Sequence, residues 1–448
     1  MDKKKFYENL WKIALPVTIQ SFLQSLLSLI DGMMIGDLGS ASIGGVGLGT
    51  KFISLFQVTV SAIVAVAGIM IAQYKGDKNK KGINDSFFSN LYFSLVIAAV
   101  FVAISVGIPN QIMSLYSDQP DMVHQARTYL TLMAIGFIPQ TITLMLSALL
   151  RNMECAKVPM IASAVSVIAN TVFNYLLIFG IGIFPKMDVA GAALATSCAR
   201  ILELIIVLVI YLRVKDKKGI VLKPVFRFQG KFLLQIVPIL MPLLITEFLW
   251  SLGENVYAVI YGHFGTNECA AMTLTYPLQT IVIGALSGLS AAAGIIVGNT
   301  LGEGKSEIAY NESKLFLKLT VLASIGISVI IALVSKFYVQ LFNVNQETKT
   351  LTIYILLSYC IVFTAKVTNM VLGGGILRSG GKTKYSMMID LIGTWCIGVP
   401  VGFLAAKVFK LPIYQVYLIL SLEEYVRVLI SSCIFKSRKW IVNITKVD

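Results

Sequence analysis

The sequence predicts an all-α integral membrane protein, with twelve transmembrane helices in two pseudo-symmetric six-helix lobes. Three observations lead to this. The 448-residue chain is 56% hydrophobic and 13% charged, with a mean hydropathy of +0.80, which is too apolar for a soluble surface. Apolar residues gather into runs such as Leu91 to Ile108 and Leu319 to Val334, each near the length that crosses a hydrocarbon core of roughly 30 Å. The second half of the chain also repeats the first.

The expected spans are 13–36, 45–73, 86–108, 127–150, 158–182, 189–212, 233–261, 270–299, 314–336, 351–377, 385–406 and 413–436. Turn and charge signals separate them, as in Gly76-Asp77-Lys78-Asn79-Lys80-Lys81 and Ser379-Gly380-Gly381-Lys382. Charge sets the orientation. With both termini cytoplasmic, about 27 of the 37 Lys and Arg fall on the cytoplasmic side and about 6 opposite. The remainder, Lys51, Arg200, Lys366 and Arg427, lie within spans. This clustering between apolar runs accounts for the net charge of +14 without nucleic acid as a partner. The basic start, Met1 to Lys5, is followed by no convincing cleavage site, so the first span is expected to be retained. A multi-pass monomer of the cell membrane is expected. The longest linker, 213–231, separates an N-terminal lobe (1–212) from a C-terminal lobe (232–448), and no loop has room for a soluble nucleotide-binding domain.

The repeat is visible in residues that are not merely apolar. At an offset of 226, Pro16 falls on Pro242, Ser25 on Ser251, Gly36 on Gly262, Gly68 on Gly294 and Gly76 on Gly302. At 227, Arg151 falls on Arg378, Lys157 on Lys384 and Arg200 on Arg427. Each half has an even number of spans, so both face the same way, as in transporters whose two bundles rock about a central site. The intramembrane acids do not repeat. Asp31 falls on Tyr257, Glu247 on Ser21, Glu254 on Ser28 and Glu423 on Thr196. Ion coupling is therefore expected in the first half and a different charged network in the second.

Ionisable groups in hydrocarbon are costly and need a reason. Asp31, in the outer half of the first span, is the sharpest case, as a proton or sodium carrier or as a carboxylate near a helix end. Asn170 and Asn174 share a face at i,i+4. With Thr196 and Asp31 they fall within roughly 8–18 Å of the outer surface at 1.5 Å per residue. One carboxylate with amide and hydroxyl oxygens suits a hard cation or a proton-gated hydrogen-bond network; such asparagines also simply join helices. Glu247 and Glu254 share a face of the seventh span and would bind a cationic substrate, or pair with Lys366. Arg200 with Glu203, and Arg427 with Glu423 and Glu424, have the spacing of local ion pairs. Lys366 has no such neighbour and needs an acid from another helix, Glu247 or Glu423. Asp390 lies near the cytoplasmic end of the eleventh span.

Other chemistries find no support. Gly381-Lys382-Thr383 lacks the preceding glycine spacing and the strand of a phosphate-binding loop. The six cysteines form no CxxC pair, which argues against structural zinc. No nucleophile–base pair is evident, so an enzyme is not expected, and neither is a cofactor.

The chain resembles the multidrug and toxic compound extrusion (MATE) family of cation-coupled exporters. The stretches that carry the resemblance are Ile30-Asp31-Gly32-Met33-Met34-Ile35-Gly36, Ile71-Ala72-Gln73-Tyr74-Lys75-Gly76, Asn170-Thr171-Val172-Phe173-Asn174-Tyr175, Gly191-Ala192-Ala193-Leu194-Ala195-Thr196 and Gly375-Ile376-Leu377-Arg378-Ser379-Gly380-Gly381-Lys382-Thr383. The resemblance implies two six-helix lobes forming a V, and antiport of drugs or metabolites against H⁺ or Na⁺. It implies a cation site of Asp31, Asn170, Asn174 and Thr196, although some members have Asp where Asn174 stands. Glu247 looks like the acidic residue of the seventh helix. The tenth-helix Asp of some members is missing, and Lys366 stands in that neighbourhood. The reading is thus an antiporter that exports small amphipathic, cationic organic compounds. Candidate cavity residues beside Glu247 and Glu254 are Trp250, Tyr257, Met272 and Tyr276. The alternative is a flippase of lipid-linked precursors; a channel or receptor is disfavoured by the two-lobe repeat.

Overall fold

The computed structural model describes residues 3–36, 38–216, 220, 222–224, 230–342 and 344–446. Much of the expected linker 213–231, including Lys217, Lys218 and Arg227, lies outside the described residues, as do Met1 and Asp2. All described regular structure is helical. The long helices of the first set are α1 (Lys3–Gly36), α2 (Ser40–Gly76), α3 (Lys80–Gly107), α4 (Pro120–Asn152), α5 (Lys157–Phe179) and α6 (Asp188–Val214). The second set is α7 (Gly230–Gly262), α8 (Thr266–Gly302), α9 (Ser306–Gln340), α10 (Gln346–Leu377) and α11 (Lys384–Val408). These eleven are long and apolar enough to cross a membrane. The twelfth span is two helices, Ile413–Ser421 and Glu423–Ser437, broken only at Leu422; together they are α12. The break falls where Glu423 and Glu424 enter, and acids in a first helical turn face the positive end of its dipole.

Several helices exceed the roughly 20 residues that hydrocarbon requires. α2 and α8 each run to 37 residues, so polar turns extend beyond the expected spans. α10 ends in a wider, i→i+5 turn over Met370–Leu377, which contains Gly373, Gly374 and Gly375.

α9 shows how such a helix is patterned. Leu322, Ile325, Val329, Ile330, Leu333 and Phe337 form its exposed stripe. Ser313, Thr320, Ser324 and Ser335 lie on the buried face. Lipid rewards apolar groups outside, and small hydroxyls inside let helices approach. The hydroxyls bond to their own helix: Ser313 Oγ donates to Ala309 O at 2.7 Å and Thr320 Oγ1 to Phe316 O at 2.8 Å.

Packing divides the chain into two compact units, Met1–Thr18, Ala72–Lys78 and Val237–Asp448 in one, and Ile19–Ile71 and Asn79–Ile236 in the other. The end of α2 thus packs with α8. There the repeat becomes a self-complementary contact. A Cβ on Gly76 would strike the Asn299 carbonyl oxygen, and a Cβ on Gly302 would strike the Gln73 carbonyl oxygen. Gly76 and Gly302 are repeat partners, and so are Gln73 and Asn299. Residue i meets j where the mate of i meets the mate of j, as at a two-fold axis. Gln73 also holds the C-terminal segment. Its Nε2 donates to Ser379 O at 2.7 Å and Val442 O at 3.1 Å, and its Oε1 accepts from Ile444 N at 2.7 Å.

Gly302→Ala and Gly76→Ala place a methyl against backbone that no rotamer change relieves. Each should cost about 1–3 kcal/mol, read as a lower melting temperature of the detergent-solubilised protein. Gly326→Ala, where a Cβ meets nothing within 4 Å, should leave it unchanged. Equal behaviour of the three would contradict this crossing.

Candidate functional site

Two polar clusters stand out, one in each unit. In the first, the run Gly191-Ala192-Ala193-Leu194-Ala195 keeps α6 narrow where it passes α5. A Cβ on Gly191 would lie 2.6 Å from Leu177 O, so only glycine allows this approach. Ser166 Oγ donates to Ala199 O at 3.0 Å further along the same seam. With the helices this close, the polar residues of both meet. Thr196 Oγ1 accepts from Asn170 Nδ2 at 3.2 Å, Asn170 Oδ1 accepts from Asn174 Nδ2 at 2.9 Å, and Asp31 Oδ1 accepts from the same Nδ2 at 2.7 Å. Asp31, Asn174, Asn170 and Thr196, picked out separately in the sequence, form one continuous chain. Asn170 and Asn174 are buried, each 1% exposed, whereas Asp31 is half-buried. Asn174 Oδ1 is buried with no partner. An acceptor in that condition costs stability unless a donor or cation reaches it. α1 has a second tie to α5, from Gln24 Nε2 to Ser163 Oγ at 2.9 Å.

Arg200 lies within electrostatic reach of Asp31, Tyr129 and Glu203. The expected i,i+3 ion pair with Glu203 is not formed. Arg200 Cδ instead runs against Gly136, 2.9 Å from where a Cβ would sit, which carries the guanidinium towards α4. Its Nη1 is buried without a partner.

The second cluster is centred on Arg427 of α12. Arg427 pairs with Glu423 at 3.2 Å and with Asp390 of α11 at 3.4 Å, and donates to Thr394 Oγ1. Glu423 Oε2 accepts from Tyr257 OH at 2.7 Å. Glu424 departs from the expected pairing with Arg427: its Oε2 accepts from Asn369 Nδ2 at 2.7 Å. Arg200 and Glu203 belong to the other unit and take no part in this cluster.

Beside this cluster is a cavity of about 50 Å³ between α7, α8, α10 and α12, room for a few waters. Trp250, Glu254, Tyr257, Met272 and Tyr276 all line it, and so do Lys366, Glu423 and Glu424. Glu247 does not line it. Its carboxylate pairs with Arg378 at 3.4 Å, so the expected pairing of Glu247 with Lys366 is replaced. The reason is proximity: Arg378, next to the wide turn that ends α10, reaches α7 first. Among the described residues Lys366 forms no ion pair, although Glu423 is within its electrostatic reach.

A family model described as MatE matches residues 16–176 and 242–404, one segment in each half. The chain belongs to the MatE family. Its members are membrane transporters rather than enzymes, and the match lends no support to the flippase alternative. The starts of the two matched segments, 16 and 242, reproduce the register that places Pro16 on Pro242. Among curated relatives, the chain is 25% identical over 440 residues to a probable multidrug resistance protein NorM of Thermotoga maritima, covering 97% of this chain and 93% of that one. It is 23% identical over 439 residues to an uncharacterized transporter, YisQ, of Bacillus subtilis, covering 97% and 95%. Its fold matches a crystal structure of MATE in complex with MaL6, with a TM-score of 0.88, 17% identity and 96% of each chain covered.

Sequence reasoning about this MATE protein missed Asn369 as the partner of Glu424, Arg378 as that of Glu247 and Thr394 as that of Arg427. All three meet their partners across helices, through tertiary packing that no spacing along one helix reveals.

Arg427→Met leaves the buried Glu423 and the half-buried Asp390 without their cation. It should destabilise the protein by about 3–5 kcal/mol, and adding Glu423→Gln should restore part of that. Thermal unfolding of both variants checks this; an unchanged melting temperature for the single variant would contradict the network.

Proposed function

We propose that this MATE protein is a secondary antiporter that exports small amphipathic, cationic organic compounds in exchange for H⁺ or Na⁺. Its place is the cell membrane, as a monomer with both termini cytoplasmic and with the two repeats, 1–212 and 232–448, as its lobes. The observation that carries the reading is the chain from Asp31 through Asn174 and Asn170 to Thr196, with its unpartnered Asn174 Oδ1.

That chain has two ways to answer a cation. If Asp31 takes a proton, its carboxyl becomes a donor and Asn174 Oδ1 is the acceptor at hand. The Asn174 amide then inverts, its Nδ2 leaves Asn170 Oδ1, and the change passes to Thr196. If sodium enters, the Asp31 carboxylate and Asn174 Oδ1 supply hard oxygen ligands. Either event alters how α1 is held to α5 and α6, so occupancy by the ion biases one conformation. Glu254 and the aromatic lining of the cavity beside Arg427 supply the complementary chemistry for an amphipathic cation. The family membership and the names of multidrug relatives support export as the direction.

Dye efflux from vesicles under imposed pH or Na⁺ gradients tests this. One of the gradients should drive efflux by the wild type. Asp31→Asn should lose that gradient dependence by roughly 5- to 150-fold, the range of a coupling free energy of about 1–3 kcal/mol. If neither gradient drives efflux, the antiport reading is wrong; normal coupling in Asp31→Asn would remove Asp31 from the coupling site.

A further inference from the structure

The stretch Ile71-Ala72-Gln73-Tyr74-Lys75-Gly76 takes no part in the Asp31 chain. Here α2 changes unit: up to Ile71 it packs in one, and Ala72–Lys78 pack in the other. The last turns of a first-repeat helix are thus held among second-repeat residues. The segment that follows α12, residues 438–446, meets them there. Its own side chains fix it to the second repeat. Arg438 pairs with Glu307 and lies 4.3 Å from the centre of the Tyr310 ring. Trp440, 0% exposed, stacks on Phe435 with 5.8 Å between ring centres, and Asn443 Nδ2 donates to Gly302 O at 3.2 Å. The tie to the first repeat is Gln73, which is fully buried and uses both ends of its amide, on Val442 O and on Ile444 N. Among the described residues its repeat mate is not held this way: Asn299 Oδ1 is buried without a hydrogen bond. The crossing of α2 and α8 is two-fold in its backbone contacts and one-sided in its side chains.

We propose that residues 438–446 are a strap that holds the end of α2 closed against α8, and that Gln73 leaves the strap each time the transporter opens on that side. The proposal rests on the antiport reading, which places this side in the cytoplasm and has the two repeats part there in turn. The two attachments differ in kind. The ion pair and the buried Trp440 keep the strap on the second repeat. Gln73 is joined to it by hydrogen bonds alone, and a hydrogen bond has a small net worth because water replaces the lost partner. When the crossing opens, the Gln73 amide, Ser379 O, Val442 O and Ile444 N are hydrated together. When it closes, the anchored strap is in place to receive Gln73 again. Without the Gln73 amide, the closed form buries two carbonyls and an N–H unpaired, and the open form hydrates them. Loss of the amide therefore shifts the population towards opening.

Thiol labelling in membrane vesicles of either orientation tests this, with an impermeant maleimide and a full-length chain whose six native cysteines are replaced by serine. Ala72→Cys is the reporter: Ala72 is 1% exposed, and its Cβ lies 2.9 Å from where a Cβ on Gly298 would sit, so the crossing shuts it in. Gln73→Met keeps the bulk of the side chain and removes its amide. It should speed labelling of Ala72→Cys about tenfold from the side of the C-terminus, within what three lost hydrogen bonds supply. Labelling of Ser324→Cys, a buried position on α9, should not change. An unchanged rate at position 72 overturns the proposal, as does an equal rise at both positions, which marks general loosening. If the serine-substituted chain does not fold, deuterium exchange of residues 298–304 in the wild type and in Gln73→Met reads the same opening, and equal exchange overturns it. Gradient-driven dye efflux separates the two readings. Efflux by the wild type with no effect of Gln73→Met on labelling leaves antiport standing and sinks the strap; faster labelling without gradient-driven efflux does the reverse.

Discussion

Hydrocarbon offers no hydrogen bonds, so every polar group within the spans must find its answer inside the protein. Most of the structure follows from that constraint. Backbone is satisfied within helices, and hydroxyls such as Ser313 and Thr320 turn back to carbonyls one turn earlier. Glycines at crossings, Gly76 and Gly302 above all, let backbones approach so that side chains on neighbouring helices reach each other. The charged residues are held by the same logic, Arg427 by two carboxylates and a hydroxyl, and Asp31 by an amide.

The two halves answer this constraint at matching positions with different residues. In the first, Asp31 and Thr196 are the ends of one hydrogen-bonded chain, with Arg200 in electrostatic reach of Asp31. Their repeat mates are Tyr257, Glu423 and Arg427. In the second half those three form a cluster of their own, Tyr257 donating to Glu423 and Glu423 pairing with Arg427. The carboxylate has changed helix, from α1 in one repeat to α12 in the other, while the site has kept its place. A carboxylate held by one amide remains open to a proton or sodium. A carboxylate paired to arginine and capped by a tyrosine is already neutralised.

This also explains what was legible in the sequence. The twelve-helix plan follows from apolar length and charge placement, which are local properties. The break at Leu422 was not legible, because a single residue interrupts an otherwise regular apolar run. The members of the Asp31 chain were readable as intramembrane polar residues at one depth, and Asn170 and Asn174 by their i,i+4 spacing. Ion-pair partners were less readable. Glu423–Arg427 obeys helical spacing and forms, whereas Arg200–Glu203 obeys it and does not, because Gly136 on another helix opens a different path for the arginine. Arg378 read as a loop charge, yet tertiary packing brings it to Glu247. Spacing limits which pairs are possible, and packing selects among them.

In the proposed antiport, an ion bound at Asp31 is exchanged for substrate. Ion displacement from the purified protein tests it most directly, with proton release followed in weak buffer and bound radioactive sodium counted as a cationic dye is added. The dye should displace a proton or a sodium ion from the wild type and neither from Asp31→Asn. Dye binding that displaces no ion, or the same displacement in both proteins, would contradict it.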